Sequence, residues 1–450
     1  MSSIINKQAF KTYLMLVVPL MLQNLVTSSV SLLDNLMIGR LGEVELAGVA
    51  MANKVFFVYN LMVFGICSGA TVFFSQFWGK QDKKGIRAVM TVGLCLSIGF
   101  GAVFTLAAGL FPTSLMKLLA GRNLEIIPGG AAYLRISCLG YILFSLTFIL
   151  GTGLKAIERP TIPLLGSVTS LAVNGVLNYI LIFGKLGLPA LGVRGAAIAT
   201  VSARLLELGV VLFGMAGHRG LFFAPIKEAF SFPEGFLHGY MRTSMPVFIN
   251  ETIWGLGITV YGAVLARLGS GPAAAHSIVG TVESMLFAVV FGTATAAGVI
   301  VGKEIGSGRR DAALQKTKFY QGIAVVQGLV IGIALFAAAP AITGFFKMTP
   351  DTRAICIAML RICACFMAFK ALSTVSIVGT MRSGGDTIFC MISDAGGVWF
   401  IGVPLVTISG LVLGLPAPIV LGSSYIEEVV KCIAVLVRQR NDKWMKDLVN

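Results

Sequence analysis

The sequence predicts an all-α membrane protein with about twelve transmembrane helices. The chain has 450 residues, of which 56% are hydrophobic and only 12% are charged. A soluble domain carries about 25% charged residues, so the solvent of this chain must be largely lipid. The apolar runs lack the alternation of polar and apolar residues that barrel strands show, which indicates helices.

A membrane helix needs about 20 mostly apolar residues, and runs of this length follow one another along the chain. The first six predicted spans lie near 12–38, 46–76, 88–111, 130–153, 161–184 and 193–215. The second six lie near 241–268, 272–302, 316–340, 354–380, 387–410 and 417–437. A polar and aromatic segment separates the sets, so we predict an N-terminal lobe (1–217), a cytoplasmic linker (218–240) and a C-terminal lobe (241–450).

Lysine and arginine indicate the topology. With the N-terminus inside, the inner segments hold 21 of these residues and the outer loops hold 8. By the positive-inside rule, both termini are expected in the cytoplasm, in a multi-pass protein of the inner (plasma) membrane. The rule also explains the net charge of +15, so we expect no nucleic-acid partner. The lipid bilayer is the expected surrounding, and the chain is expected to act as a monomer.

The two halves of the sequence repeat each other at an offset of 227 residues. Pro19 then corresponds to Pro246, Gly79 to Gly306, and the triplet Arg40-Leu41-Gly42 to Arg267-Leu268-Gly269. One constant offset over so much of the chain indicates an internal repeat. Six spans per half give both halves the same orientation, which predicts lobes related by an axis along the membrane normal, with substrate bound between them.

The repeated residues also carry a resemblance to a known family. They are Pro19, the run Asp34-Asn35-Leu36-Met37-Ile38-Gly39-Arg40-Leu41-Gly42, Leu46-Ala47, Leu154-Lys155-Ala156, Pro246, Gly257, Ala274-Ala275 and Met381-Arg382-Ser383-Gly384-Gly385-Asp386-Thr387. In this order and spacing they resemble multidrug and toxic compound extrusion (MATE) transporters over essentially the whole chain. The resemblance implies a V-shaped twelve-helix fold. It also implies export of amphipathic, often cationic, compounds driven by H⁺ or Na⁺, with no other cofactor.

Charges at membrane depth are costly, by roughly 2.5–3.5 kcal/mol on insertion scales, and usually mark a pathway. Five stand out: Asp34 on the first predicted helix, Glu251 on the seventh, Glu283 on the eighth, Lys370 on the tenth and Asp394 on the eleventh. We expect them to line the substrate cleft. Lys370 matches Glu251 in depth. The two form either a permanent structural bridge or, with Glu283, a switchable trio that exchanges a proton for the cationic drug.

Two asparagines on the fifth predicted helix, Asn174 and Asn178, stand one turn apart. They either offer carbonyl oxygens to a cation or bond between helices. The resemblance adds Thr200 on the sixth helix and makes Asp34, Asn174, Asn178 and Thr200 a cation or proton coupling site, with Na⁺ near Asp34 and Asn174. Some relatives carry an acid at the position of Asn178 and an aspartate near Lys370, which argues against a tight sodium site here.

Other features have a structural interpretation. Spacing favours intrahelical pairs between Arg204 and Glu207, and among Glu427, Glu428 and Lys431. Prolines 19 and 246 permit bends in two equivalent helices. The loop 79–87 is similar to a major facilitator motif but one residue short, and is interpreted as a basic turn.

Two alternatives to drug export remain open. A flippase for lipid-linked precursors would need a cleft rich in cations, whereas the candidates here include more acids than bases. An enzyme is not expected, because the chain has no HExxH motif, nucleophile elbow or paired His/Asp set.

Overall fold

The computed structural model describes residues 7–120, 124–223, 225, 228, 230, 232, 234–346 and 348–449. Every regular element in this part of the chain is helical. Helices are the expected outcome for apolar segments in lipid, because each helix satisfies its own backbone hydrogen bonds.

The first half of the chain forms six long helices. They are α1 (Lys7–Ile38), α2 (Glu43–Lys80), α3 (Lys83–Leu110), α4 (Leu139–Ala156), α5 (Thr161–Phe183) and α6 (Val193–Met215). Two shorter helices, Pro112–Ala120 and Ile127–Ser137, precede α4. The predicted span 130–153 therefore contains a break at Cys138, between Ile127–Ser137 and α4.

The second half repeats this arrangement. It forms α7 (Phe236–Arg267), α8 (Ser270–Gly306), α9 (Arg310–Gly344), α10 (Pro350–Met381) and α11 (Thr387–Val412). The last predicted span forms two consecutive helices, α12 (Ala417–Ser424) and α13 (Ile426–Arg438), separated at Tyr425. Within the described residues, α1 to α11 are each long and apolar enough to cross a membrane. Helices α12 and α13 cover the region of the twelfth predicted span, 417–437.

Local sequence signals explain several helix ends. Asp82 caps α3, because its Oδ1 accepts hydrogen bonds from the backbone N–H of Lys84 (2.9 Å) and Gly85 (3.1 Å). The loop that is similar to the major facilitator motif is thus a capped turn between α2 and α3. Gly184 ends α5 with a left-handed φ of 66°, the conformation that glycine adopts at helix C-termini.

The chain divides into two compact units. The N-terminal unit comprises Leu22–Phe74 and Asp82–Leu237; the C-terminal unit comprises Met1–Met21, Ser75–Gln81 and His238–Asn450. Helices α1 and α2 each contribute residues to both units. Pro19 and Pro246 lie inside α1 and α7, which are both 32 residues long.

The C-terminal tail packs into its own unit. Trp444 is fully buried, and Asp386 binds Arg438 (Nε to Oδ2, 2.8 Å) and Lys446 (Nζ to Oδ1, 2.7 Å). Gln76, at the end of α2, donates to the carbonyl oxygens of Ser383 and Lys446. The tail thereby holds together the end of α2 and the turn between α10 and α11.

Candidate coupling sites in the two units

Asp34 is the centre of a buried polar cluster in the N-terminal unit. The Asn178 Nδ2 donates to Asp34 Oδ1 at 2.5 Å, and Thr200 Oγ1 lies 3.5 Å from Asp34 Oδ2. Asn178 also donates to Asn174 Oδ1 at 3.2 Å. Helices α1, α5 and α6 thus bring together the four residues that the resemblance predicted. Both asparagines are fully buried, and Asp34 retains only 8% of its accessible surface.

This cluster is rich in oxygen atoms that a cation could use. The carbonyl oxygen Oδ1 of Asn178 is buried and has no hydrogen-bond partner among the described residues. Together with the Asp34 carboxylate, Asn174 Oδ1 and Thr200 Oγ1, it forms the kind of oxygen set that hard cations prefer. The described residues contain no group of three or more His, Cys, Asp or Glu placed to hold a metal ion. Of the four residues that form this cluster, Asp34 is the one that carries a formal negative charge.

The other charged groups of this core have neutral partners as well. The Arg204 guanidinium lies 4.3 Å from the ring centroid of Phe56 and donates to the Gly140 carbonyl at 3.1 Å. Glu207 Oε1 accepts from Ser167 Oγ at 2.9 Å. The intrahelical pair of Arg204 with Glu207 predicted from spacing is therefore wrong. The ring of Phe56 on α2 and the carbonyl oxygen of Gly140 on α4 hold the guanidinium instead.

The C-terminal unit holds its buried charges in direct ion pairs. Arg382 Nη2 lies 2.6 Å from Glu251 Oε1 and 3.8 Å from Asp394 Oδ2. Lys431 Nζ lies 3.0 Å from Asp394 Oδ1, and Asn250 donates to Asp394 Oδ2 at 3.0 Å. Helices α7, α11 and α13 and the end of α10 are thereby joined. Arg382 directly follows a π-helical turn, Val375–Met381, which places it at the end of α10.

The network extends along α13. Lys431 Nζ is 3.5 Å from Glu427 Oε1 and 3.8 Å from Glu428 Oε1, so these intrahelical pairs form as the spacing predicts. The Tyr261 hydroxyl donates to Glu427 Oε2 at 2.9 Å. Gly402 makes this contact possible, because a Cβ there would lie 1.7 Å from the Tyr261 hydroxyl oxygen.

Lys370 pairs with Glu283, not with Glu251. Its ammonium contacts Glu283 Oε1 and lies 4.9 Å from the ring centroid of Phe287. The predicted bridge between Glu251 and Lys370 is therefore wrong, because Arg382 occupies the position beside Glu251. Glu251 on α7 and Lys370 on α10 lie at matching depth, but depth alone does not predict a pair. A pair also requires that the two side chains lie on helix faces that pack against each other.

An apolar groove lies beside this network. It has a volume of about 680 Å³ and is lined by residues of α7, α11 and α13, including Ile253, Trp399, Phe400 and the stem of Lys431. The hydroxyl of Ser393, which also lines the groove, has no hydrogen-bond partner among the described residues. The groove has the size and the lining expected of a pocket for a hydrophobic organic ligand.

Sequence reasoning missed two members of the network. At the level of the sequence, Arg382 was named only as part of the motif 381–387, and Tyr261 was not singled out. The signal available for Arg382 was its place in the motif 381–387 at the end of a predicted helix. No sequence signal distinguished Tyr261, because its role depends on Gly402 and Glu427, which are distant in the chain.

Comparisons with known proteins agree with this architecture. The profile of the family described as MatE matches residues 19–180 and 245–408. The two matches lie in the two halves, as the internal repeat requires. A protein from Bradyrhizobium diazoefficiens described as "Probable multidrug resistance protein NorM" is 29% identical, covering 91% of this chain and 88% of the relative. A protein of the same description from Thermotoga maritima is 24% identical, covering 88% of this chain and 84% of the relative.

A solved structure has the same fold. The structure described as the outward-facing conformation of a multidrug resistance MATE family transporter superposes with a TM-score of 0.88 at 20% identity, covering 97% of this chain and 96% of that one. The family match and the relatives therefore define a membrane transporter rather than an enzyme. The chain belongs to the MatE family.

Proposed function

We propose that this protein exports amphipathic, cationic drugs or toxic compounds in exchange for H⁺ or Na⁺, by alternating access of two lobes. Membership of the MatE family and the descriptions of the NorM relatives support multidrug export. The lysine and arginine distribution supports an inner-membrane topology with both termini in the cytoplasm. We further propose that it acts as a monomer.

The observation that carries the coupling proposal is the Asp34 cluster. Its carboxylate is buried among amide and hydroxyl groups and has no ion-pair partner among the described residues. Such a carboxylate can accept a proton or a cation without breaking an ion pair first. Burial makes the ionised carboxylate unfavourable, which favours binding of one cation. Once a proton or another cation has neutralised the charge, a second cation is no longer attracted. Mutually exclusive occupation by the ion and by the cationic drug is what exchange requires.

The charges of the C-terminal unit support a cationic substrate. Five carboxyl groups (Glu251, Glu283, Asp394, Glu427, Glu428) contact three basic side chains (Lys370, Arg382, Lys431). Excess acid attracts organic cations and repels the pyrophosphate of lipid-linked precursors, so the acid excess argues against a flippase. The apolar groove beside Trp399 would accept the hydrophobic part of such a compound.

The test is the variant Asp34→Asn in everted membrane vesicles, with ethidium transport driven separately by a proton gradient and by a sodium gradient. Asparagine keeps the size and polarity of the side chain but cannot take up a proton. We expect at least about a 100-fold loss of transport with whichever gradient drives the wild type, and unchanged yield and melting temperature.

The matched control is Asp311→Asn, which removes an exposed carboxyl at the start of α9. It should transport at the wild-type rate. Wild-type transport by Asp34→Asn would refute the proposed coupling role.

A further inference from the structure

A guanidinium without a carboxylate partner lies next to the Asp34 cluster. Arg204 has no acidic oxygen within 4.0 Å in the part of the chain that the structure describes; its contacts are the Gly140 carbonyl and the rings of Phe56 and Phe144. Gly140 lets Arg204 pack closely, because a Cβ there would lie 3.1 Å from Arg204 Cδ. The charge of Arg204 is therefore held in place but not neutralised.

This charge acts on the coupling site. Arg204 follows Thr200 by four residues on α6, so the two side chains share a face at a spacing of roughly 6 Å. Thr200 in turn lies 3.5 Å from the Asp34 carboxylate. Arg204 interacts electrostatically with Asp34, with Glu207 and with the buried tyrosines 133 and 141.

The remaining charges around this core balance one another. Glu207 is bonded to Ser167 on α5, and Lys155 of α4 lies 5.8 Å from the ring centroid of Phe148. With Asp34 ionised, the two carboxylates and the two bases sum to zero. Any monovalent cation that binds at Asp34 therefore raises the formal charge of these four groups to +1, beside a guanidinium that repels it.

We propose that Arg204 is the residue that makes the Asp34 site select protons over Na⁺. A proton forms a covalent O–H bond with the carboxylate, so its intrinsic affinity is high (about 10⁴ M⁻¹, from a pKa of about 3.9) and withstands the repulsion. Sodium has no such bond and depends on net negative charge and several oxygen ligands. Asp34 is the one carboxylate of the cluster, and Arg204 offsets it.

This inference rests on the proposed coupling role of Asp34, and charge must be separated from packing to test it. Arg204 also ties α6 to α2 and α4, so a loss of activity alone would be uninformative. Arg204→Lys keeps the positive charge, whereas Arg204→Gln and Arg204→Met remove it. Glu207→Gln removes a negative charge from the other side of Arg204 and leaves the Arg204 contacts in place.

The measurements use purified full-length protein. The first is the pH midpoint of proton-driven ethidium transport in proteoliposomes. The second is transport driven by a sodium gradient at constant pH. The third is ²²Na⁺ binding by scintillation proximity, which does not depend on turnover.

We expect the wild type and Arg204→Lys to be driven by protons alone and to show no saturable ²²Na⁺ binding. Arg204→Gln and Arg204→Met should move the pH midpoint upward by about one to two pH units, as Coulomb's law gives for a unit charge one helical turn beyond Thr200, roughly 6–12 Å from the carboxylate, at an effective dielectric constant of about 20. Both variants should also acquire ²²Na⁺ binding. Glu207→Gln should move the midpoint downward by a few tenths of a pH unit, because Glu207 follows Thr200 on α6 by two helical turns and Arg204 follows it by one.

Three results would overturn the inference: sodium-driven transport or ²²Na⁺ binding by the wild type, wild-type behaviour of the folded neutral variants, or Arg204→Lys behaving like Arg204→Gln. If the neutral variants do not fold, an unchanged or raised midpoint in Glu207→Gln overturns it as well. Loss of transport in Asp34→Asn together with any of these results would leave the proposed function standing and reject only the role of Arg204.

Discussion

The two units stabilise their buried charged side chains in different ways. In the N-terminal unit, Asp34, Arg204 and Glu207 each have uncharged partners. In the C-terminal unit, Arg382 and Lys431 contact four carboxylates directly. A group that has no ionic partner can change its charge at little structural cost, whereas a paired group leaves a buried charge behind.

The internal repeat makes this comparison residue by residue. At the offset of 227, Arg204 corresponds to Lys431 and Lys155 to Arg382, so both units carry a base at both positions. At the same offset, Thr200 corresponds to Glu427 and Asp34 to Tyr261. Both pairs are in contact, at 3.5 Å for Thr200 with Asp34 and 2.9 Å for Glu427 with Tyr261. The carboxyl group and the hydroxyl group have exchanged positions between the two units.

A second pair of contacts differs in charge at equivalent positions. Gln23 and Ser167, 3.5 Å apart, correspond to Asn250 and Asp394, 3.0 Å apart. Both units therefore carry basic residues at equivalent positions of the repeat. They differ in the positions of their acidic residues. Acids at 394, 427 and 428 give Lys431 ionic partners that Arg204 lacks. The buried charges of the C-terminal unit are therefore tied to one another, whereas Asp34 and Arg204 have uncharged partners.

The largest expected effect comes from the same substitution at the two equivalent bases. Lys431→Met should destabilise the protein by about 3–5 kcal/mol, because it leaves three carboxylates around a fully buried position without their cation. Arg204→Met should cost less, about 1–3 kcal/mol, since it breaks one hydrogen bond and the aromatic contacts. Thermal unfolding of the purified variants in detergent measures both. Equal losses would contradict the difference between the units.

The next effect tests the partner of Lys370. Lys370→Ala should lower stability by about 1–3 kcal/mol, because Glu283, whose side chain is only 18% exposed, is left without its cation. Adding Glu283→Gln should restore most of the loss, whereas adding Glu251→Gln should not. Melting temperatures of the single and double variants decide the matter. Rescue by Glu251→Gln instead would reassign the pair.

The N-terminal unit gives a reason to expect this rescue. At the offset of 227, Glu283 and Lys370 correspond to Phe56 and Leu143, so the repeat accommodates two apolar side chains at these positions. Ion pairs replaced by apolar residues of similar size often keep or gain stability.

The smallest expected effect concerns the two prolines. Replacing proline inside a helix restores a backbone hydrogen bond and stiffens the helix. Pro19→Ala should slow ethidium transport by a few-fold with little change in ligand affinity, because α1 carries Asp34. Pro246→Ala should slow it less, because α7 carries the ion-paired Glu251. Initial rates in vesicles and equilibrium binding of ethidium separate the two quantities, and an unchanged rate in Pro19→Ala would count against bending of α1.

The sequence alone determined the all-helical membrane fold, because long apolar runs can satisfy their backbone only as helices. It also determined the internal repeat, which depends on one constant offset. It indicated Asp34, Asn174, Asn178 and Thr200 through their resemblance to a family. The break of the last span at Tyr425 escaped detection, since hydropathy is continuous across it.

Only the tertiary structure decided which charges are partners. Glu251 pairs with Arg382 and Lys370 with Glu283, although depth along the helices favoured Glu251 with Lys370. Depth follows from the rise per residue, which the sequence gives directly. Partner choice depends also on how each helix is rotated about its axis and on close contacts such as the one that Gly402 permits. These depend on packing between segments far apart in the chain, which no local pattern encodes.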